Sequence, residues 1–151
     1  MSTPCPTLAE IQTAFSTELQ TALAALQADG TVSIVPPMQD FDADAKKIMV
    51  ISALNPDRKT GAELGGPGAL AVRNGVYQVT LSALKGTSQK AHWNASEAVE
   101  KHFTQFSAAP LALASGGGIY CDHPYTMNAG TTPDKRIALL VTIPWQTWAS
   151  N

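Results

Sequence analysis

The chain has 151 residues, a formal net charge of -2 and a charged fraction of 15%, which is low against the ~25% of typical soluble domains. A chain of this length buries about 70% of its unfolded surface, so we expect a single domain spanning residues 1–151. No basic run is longer than a pair such as Lys46 and Lys47, which excludes the basic face that electrostatic binding of nucleic acid needs. No stretch approaches the ~18 apolar residues of a membrane helix.

The N-terminus, MSTPCPTLAE, lacks the basic and apolar regions of a signal peptide. We therefore expect Cys5 and Cys121 to be free thiols in a reducing compartment. Alanine, serine, threonine and glycine take the place of the missing charged residues. Such a bland surface suits contact with other protein.

The first predicted element is a helix with one apolar stripe at spacings of three and four, formed by Leu8, Ile11, Phe15, Leu19, Leu23 and Leu26. Thr7 and Glu10 form a capping box at its start, and Gly30 supplies a left-handed stop. A short strand from Val32 to Val35 follows and is closed by two prolines.

The segment from Lys47 to Leu54, KIMVISAL, is apolar at both alternating sets of positions, which predicts a central strand covered on both faces. The next segment, from Arg58 to Ala71, contains four glycines and one proline and has no useful period. A structureless loop of this length inside a compact domain is uncommon and is usually functional.

A half-buried strand is predicted from Val72 to Leu84, because apolar and polar residues alternate along it. Gly75, near its start, indicates a bulge or a close backbone contact. Ser88 caps a second helix that runs to about Phe106. The stripe of this helix consists of Ala91, Ala95, Ala98, Val99, His102, Phe103 and Phe106.

Strands dominate the last third of the chain. Two short strands, 111–114 and 119–122, flank a triple glycine as a hairpin, and 123–135 is predicted to be a loop. A strand with few polar positions runs from Arg136 to Ile143 and ends at Pro144. The order of elements predicts an α+β fold: one mixed or antiparallel sheet with two main helices packed on one face.

Two short motifs could carry chemistry, and each has a structural alternative. Glycine, threonine and serine at 86–88 could bind an anion before a helix, or simply end a strand and cap the helix. Cys121 and His123 could share a metal, but no second pair of ligands is visible, and a buried thiol beside a surface histidine is the alternative. His102 is interpreted as a core-edge residue. We therefore predict no catalytic, cofactor-binding or metal site.

The order of features resembles the lambda-like family of bacteriophage tail terminator proteins across nearly the whole chain. The resemblance rests on a helix, the segment TVSIVPP, the glycine-rich loop, RNGVYQV at 73–79, the pair at 102–103 and VTIPW at 141–145. Each piece is short and made of common residues, so the specificity lies in their order and spacing.

The resemblance implies a non-enzymatic virion protein that is assembled in the bacterial cytoplasm. It would form a homohexameric ring on the tail tube, stop tube polymerisation and meet the head-side connector or neck protein, with genome DNA passing through. It implies no cofactor and no membrane. Alternatives are a neck, head-closure or tube-related protein, or a small-molecule-binding domain with the loop as lid. We expect the loop to carry the protein interface, formed by Arg58, Lys59, Glu63, Leu64, Leu70 and Arg73.

Overall fold

The computed structural model describes residues 6–36, 39–40, 46–57, 70–86, 88–114, 117–131 and 135–150. The helices are α1 (Leu8–Ala22), α2 (Ala24–Ala28) and α3 (Gln89–Thr104), and α3 is followed by a 3-10 turn, Gln105–Ser107. The strands are β1 (Val32–Ile34), β2 (Ile48–Pro56), β3 (Leu70–Leu84), β4 (Leu111–Ala112), β5 (Gly118–Cys121), β6 (Tyr125–Thr131) and β7 (Arg136–Ser150).

The seven strands of the described residues form one mixed sheet in the order β1-β2-β3-β7-β5-β4, and β6 also pairs with β7. β1 and β2 are parallel, whereas the other pairs are antiparallel. β5 and β6 follow each other along the same edge of β7. This arrangement confirms the predicted α+β fold, and the pairing of β4 with β5 confirms the predicted hairpin.

The two longest strands, β3 and β7, pair along fifteen residues each, from Leu70 opposite Ser150 to Leu84 opposite Arg136. The expectation that Pro144 ends β7 was wrong. A proline lacks one ladder donor, but its fixed φ is compatible with an extended chain. Pro144 stays in register opposite Val76, and its carbonyl accepts a hydrogen bond from the Asp122 amide at 2.8 Å.

The predicted loop 123–135 was also wrong over most of its length, because β6 occupies 125–131. The segment contains asparagine, glycine and alanine, which are depleted in strands, so its composition suggested a turn. A bulge between Asn128 and Gly130 accommodates these residues. Gly130 adopts φ 89°, and its amide donates to Asn128 Oδ1 at 2.8 Å.

Both helices begin where the sequence predicts. The Thr7 hydroxyl accepts the Glu10 amide at 3.1 Å, and the Ser88 hydroxyl accepts the Ala91 amide at 3.3 Å. The first helix is shorter than predicted, because α1 ends at Ala22 and a separate turn of helix, α2, follows. Gly30 then adopts φ 83° and provides the expected left-handed stop.

Both main helices pack on one face of the sheet, and an aromatic cluster lies between them. Phe15 of α1 stacks on Tyr77 of β3 with ring centroids 4.5 Å apart and planes inclined by 13°. Phe103 of α3 lies 5.9 Å from Phe15, and Trp145 of β7 lies 6.1 Å from it. Buried aromatic pairs of this kind contribute about 0.5–1.5 kcal/mol each beyond the area they bury. We call this side of the sheet the core face.

The opposite side, the second face, carries the side chains that alternate with the core residues. β2 is internal to the sheet, as predicted. Its side chains are buried on both faces only in the first half of the strand. Ile48, Met49 and Val50 are buried, whereas Ile51 is half-buried and Ala53 is exposed. No described helix packs on the second face, so the latter half of β2 is covered on the core face alone.

A fully buried arginine ties three segments together at one end of the sheet. Arg136 donates from Nε to the Ser82 hydroxyl at 2.8 Å and from Nη2 to the Ser82 carbonyl at 2.8 Å. Nη2 also reaches the Lys47 carbonyl at 3.2 Å. Sequence reasoning treated Arg136 only as the first residue of a strand. Along the described chain, no helix is long and apolar enough to cross a membrane.

Candidate functional site

The predicted interface loop starts and ends at neighbouring strands. β2 ends at Pro56, and the Asp57 amide donates to the Asn74 carbonyl of β3 at 2.7 Å. The chain next enters the described structure at Leu70, the first residue of β3. Four of the predicted interface residues, Arg58, Lys59, Glu63 and Leu64, lie outside the described residues. Their role stays a prediction.

The other two predicted interface residues belong to the sheet. Leu70 pairs with Ser150, and Arg73, which is half-buried, pairs with Thr147. The predicted loop end at Ala71 was therefore wrong, since β3 begins two residues earlier than expected. These positions were assigned to the loop because the glycine-rich composition extends almost to them. The β3 and β7 ladder holds both residues in register.

A cleft of about 860 Å³ lies where the four strands β2, β3, β7 and β5 meet. Its floor follows one row of paired residues: Pro56 opposite Gly75, Gly75 opposite Trp145, and Trp145 opposite Cys121. The volume falls within the ~300–1,000 Å³ typical of ligand clefts. The cleft therefore has the size of a binding site, although sequence reasoning did not predict it.

Most side chains that line the cleft belong to the second face. In β3, β5 and β7 the core residues have odd numbers, and in β2 they have even numbers. The alternating positions, on the second face, supply most of the lining: Asn55, Asp57, Asn74, Val76, Tyr120, Asp122, Pro144 and Gln146. These strands are far apart along the chain, so the cleft forms only when they pair in the sheet.

Gly75 has a steric reason to be glycine. A Cβ atom at this position would be closest to the Asn55 carbonyl oxygen and would lie 2.8 Å from Pro56 Cα and 3.1 Å from the Asp57 nitrogen, all three of which are backbone atoms. The register through Gly75 is continuous on both sides, so no bulge occurs there. Of the two interpretations that the sequence left open, the close backbone contact is confirmed. It lets β2 approach β3 at the edge of the cleft.

The polar groups of the cleft are arranged around an uncharged centre. Asp57 at the end of β2 and Asp122 at the end of β5 are exposed and lie on opposite sides, with β3 and β7 between them. Asn74 lies at the centre, and its buried Oδ1 atom has no hydrogen-bond partner. Among the described lining residues no side chain is cationic. The cleft can therefore accept hydrogen bonds and attract positive charge.

The metal alternative for Cys121 and His123 finds no support in their placement. Cys121 is buried in the core, and burial raises the pKa of its thiol to about 12, whereas His123 is exposed. A thiol held in its neutral form is a poor nucleophile and a poor metal ligand. The described residues contain no group of three potential metal-ligating side chains. Cys5 lies outside the described residues.

His102 is half-buried at the edge of the core, as predicted, and it also joins the two main helices. Its Nε2 atom lies 2.6 Å from Glu18 Oε2 on α1, and the two side chains are 18% and 22% exposed. The Gln105 side chain donates to the His102 carbonyl at 2.8 Å. The sequence gives no indication of this pair, because Glu18 and His102 are 84 positions apart and local sequence patterns relate only residues close in the chain. The geometry indicates a structural contact between helices.

No protein-family model matches the chain, and no curated protein matches it. Among solved structures, a chain from the virion of a native gene transfer agent particle is similar over 95% of this chain and 96% of its own length, with 14% sequence identity and a TM-score of 0.55. A second solved protein, whose name describes no role, is similar over 90% of this chain and 94% of its own, with 12% identity and a TM-score of 0.55. At such low identity the likeness concerns the fold, which is shared almost from end to end.

Proposed function

We propose that this chain is a structural protein of a phage-like virion, where it forms a ring at the head-proximal end of a tail tube. The observation that carries the proposal is the end-to-end fold similarity to a chain of the gene transfer agent virion. The sequence pattern adds to it, because the order of the segments RNGVYQV, His102-Phe103 and VTIPW resembles the tail terminators. The ring stops tube polymerisation and offers a surface to the head-side connector.

The ring is hexameric by analogy with that family. One surface that meets a different surface of the next copy closes into a ring when the rotation between copies allows it. A charged fraction of only 15% favours such protein contacts over a strongly solvated surface. The partners are other copies of this chain, the tube protein and the connector, and genome DNA passes through without sequence-specific contact. The protein acts without enzymatic chemistry and without a cofactor.

The loop between Asp57 and Leu70 is proposed to dock on the tube or on a neighbouring copy. Its two ends are joined to the adjacent internal strands β2 and β3, and these strands give the segment a rigid base. Arg58, Lys59, Glu63 and Leu64 belong to this segment, and Leu70 and Arg73 stand at its return into the sheet. Ordering a glycine-rich loop costs conformational entropy, which contacts with a partner would offset.

Loss of the gene distinguishes the proposal from its alternatives within the virion. Without a terminator, tubes continue to polymerise, so electron microscopy of the producing cells should show overlong tails. Tails of normal length that do not join heads would indicate a neck or head-closure protein instead. Complete absence of tails would indicate a tube protein. Normal particles would contradict a virion role altogether and favour the small-molecule-binding alternative.

A second experiment tests the loop. Replacing 60–69 by a tight turn leaves the core stripes of both helices untouched, so the subunit should fold. We expect it to fail to restore normal tail length in cells that lack the gene. A matched control replaces the same residues by glycine and serine at equal length. Restoration by the shortened chain would show that the loop has no role in termination.

A further inference from the structure

We propose that the copies of the ring are joined by their sheets, with β6 of one copy pairing along the outer edge of β1 of the next copy. The inference rests on the proposed ring and deepens it, because it assigns the two surfaces through which neighbouring copies meet. The occupant of the β6 edge is therefore a second copy of this chain. The arguments are the exposure of β6, the matching edge of β1 and the directions of the two strands.

β6 is an edge strand with exposed apolar side chains. In the described part of the chain it pairs with β7 alone, and six of its seven residues are exposed. Tyr125 and Met127 are 48% and 54% exposed, and Trp93 of α3, which lines a small cavity together with Asn128, is 41% exposed. Among the described residues only four large apolar side chains are exposed, and these are three of them. A strand bordered in this way is suited to burial against a partner strand.

The first four residues of β6 lack the features that keep edge strands unpaired. Natural sheets protect an edge with lysine, proline, a bulge or a very short strand. Residues 125–128 contain no charged residue and no proline, and the bulge of β6 lies beyond them, between Asn128 and Gly130. A regular stretch of backbone therefore borders solvent on the side away from β7.

The β7 ladder shows which backbone groups of β6 point outwards. The Pro144 carbonyl accepts a hydrogen bond from the residue after β5, so the even-numbered residues of β7 direct their backbone groups towards β5 and β6. Tyr125 and Met127 lie opposite such residues and therefore bind to β7. Thr126 and Asn128, which alternate with them, direct their N–H and C=O groups away from the sheet.

β1 offers a matching edge on the opposite side of the sheet. In the described residues it pairs with β2 alone. The Thr31 carbonyl and the Val35 amide both bind to β2, at 3.0 and 2.8 Å, so the odd-numbered residues of this segment face β2. Val32 and Ile34 therefore direct their backbone groups outwards. Each edge thus presents two residues, two positions apart, that are available for a ladder.

Strand direction and side-chain faces are compatible with a closed ring. β1 and β2 run one way, β3 runs the other way, β7 runs with β1, and β6 runs against it, so β6 is antiparallel to β1 of the next copy. Thr126 and Ile34 both lie opposite core residues of the neighbouring strand. Pairing Thr126 with Ile34, and Asn128 with Val32, therefore keeps the core faces of both copies on one side. Such a contact joins two different surfaces and repeats from copy to copy, as a ring requires.

This register places Met127 opposite Ser33 of the next copy, at a position without ladder hydrogen bonds. The Cα atoms of such a pair lie about 4.5 Å apart, within the range that a disulfide bridges. Within one chain four steps between neighbouring strands separate β1 from β6, which is roughly 19 Å and too far for a disulfide. A disulfide between these two positions can therefore form only between copies.

The test introduces Ser33→Cys and Met127→Cys together into the full chain, which also carries Cys5→Ser, whereas the buried Cys121 is kept. The variant is produced in cells that lack the native gene, and the cells are oxidised with copper phenanthroline. Non-reducing gels should show a ladder of crosslinked chains, from dimers upwards. Each single-cysteine variant should stay monomeric on the same gels, because each joint needs both positions.

Absence of the ladder in the double variant would overturn the edge pairing. Tails of normal length in those same cells would then show that the ring forms through other surfaces, so the proposed function would stand. Dimers from Met127→Cys alone would show that β6 pairs with β6 of another copy, which would also overturn the proposal.

Two lysine variants of the double-cysteine chain test the surface itself. Tyr125→Lys places a charge on the β6 edge, as natural unpaired edges do, and should remove most of the crosslinked product. Its circular dichroism should be unchanged, because Tyr125 is exposed. Ala53→Lys adds the same charge at an exposed position of the internal strand β2 and should leave the ladder intact. Equal amounts of crosslinked product in the two variants would overturn the proposal.

Discussion

Replacing Gly75 by alanine should destabilise the fold through a steric conflict with three backbone atoms at the end of β2, of which the Asn55 carbonyl oxygen is the closest. The added Cβ atom would lie 2.8 Å from Pro56 Cα, whereas carbon atoms pack at about 3.5–4.0 Å. The backbone of β2 must therefore move by roughly 0.7 Å or more to restore an ordinary contact. Backbone atoms in a paired ladder cannot rotate away as a flexible side chain can. The strain is borne by the end of β2 and by the cleft.

The magnitude follows from three contributions. Overpacking of a dense site costs about 1–3 kcal/mol. Displacement of β2 weakens the bond from the Asp57 amide to the Asn74 carbonyl, now 2.7 Å long, and a bond of this type is worth about 1 kcal/mol. Alanine restricts the unfolded chain more than glycine does, which returns about 0.4–1 kcal/mol. We expect a net loss of about 2 kcal/mol in the free energy of unfolding.

Urea unfolding followed by circular dichroism measures this loss directly. A control is Gly30→Ala, where no atom lies within 4 Å of the added Cβ and the cost comes only from φ 83°. For a chain of this length, 2 kcal/mol corresponds to a fall in Tm of about 4–8 °C. Gly75→Ala should also shift the amide signals of residues that line the cleft, and Gly30→Ala should not. A Gly75→Ala protein as stable as the wild type would refute the steric reasoning.

Three further outcomes are expected from the core. Burial raises the pKa of Cys121 from 9.0 to about 12, so between these pH values the unfolded chain loses the thiol proton and the folded chain keeps it. The free energy of unfolding should therefore fall by up to about 1.4 kcal/mol per pH unit over this range. In Cys121→Ala this fall, measured by urea unfolding at alkaline pH, should be shallower, and an unchanged slope would contradict the assignment. Glu18→Gln should cost no more than about 1 kcal/mol in urea unfolding, because both it and His102 are partly exposed, and a loss of 3 kcal/mol would indicate a buried network. Phe15→Ala should lower the free energy of unfolding by about 3–5 kcal/mol, because Phe15 is fully buried. Trp93 is exposed, so Trp93→Ala should change the free energy of unfolding by no more than about 0.5 kcal/mol. Similar losses in the two variants would contradict the placement of the core.

Local signals in the sequence determined the helices and most of the strands. The stripe that contains Ile11, Phe15 and Leu19 is buried as its spacing predicts, and Thr7 and Ser88 cap the two helices as their positions predict. The α+β class followed from the order of these elements. Such features depend on a repeat of 3.6 or 2 residues and on caps within four positions, so a short window of sequence contains the information.

Composition was misleading where pairing partners override local preference. Pro144 and the segment 123–135 resemble the end of a strand and a loop, yet β7 continues to Ser150 and β6 pairs beside it. β3 offers fifteen ladder positions to β7, and this long partner outweighs the loss of one proline donor. A bulge with Gly130 at φ 89° absorbs the poor strand formers of β6. Neither partner is visible from within the segment that it stabilises.

The cleft and the helix contact were decided only by the tertiary structure. Asp57, Asn74 and Asp122 come together because β2, β3, β7 and β5 pair in one register, and Glu18 meets His102 because two helices cross one face of the sheet. Alternation along a strand shows which side chains share a face, but it does not show which strand lies beside it. Strand order and register are properties of the whole chain, since they depend on contacts between residues distant in sequence.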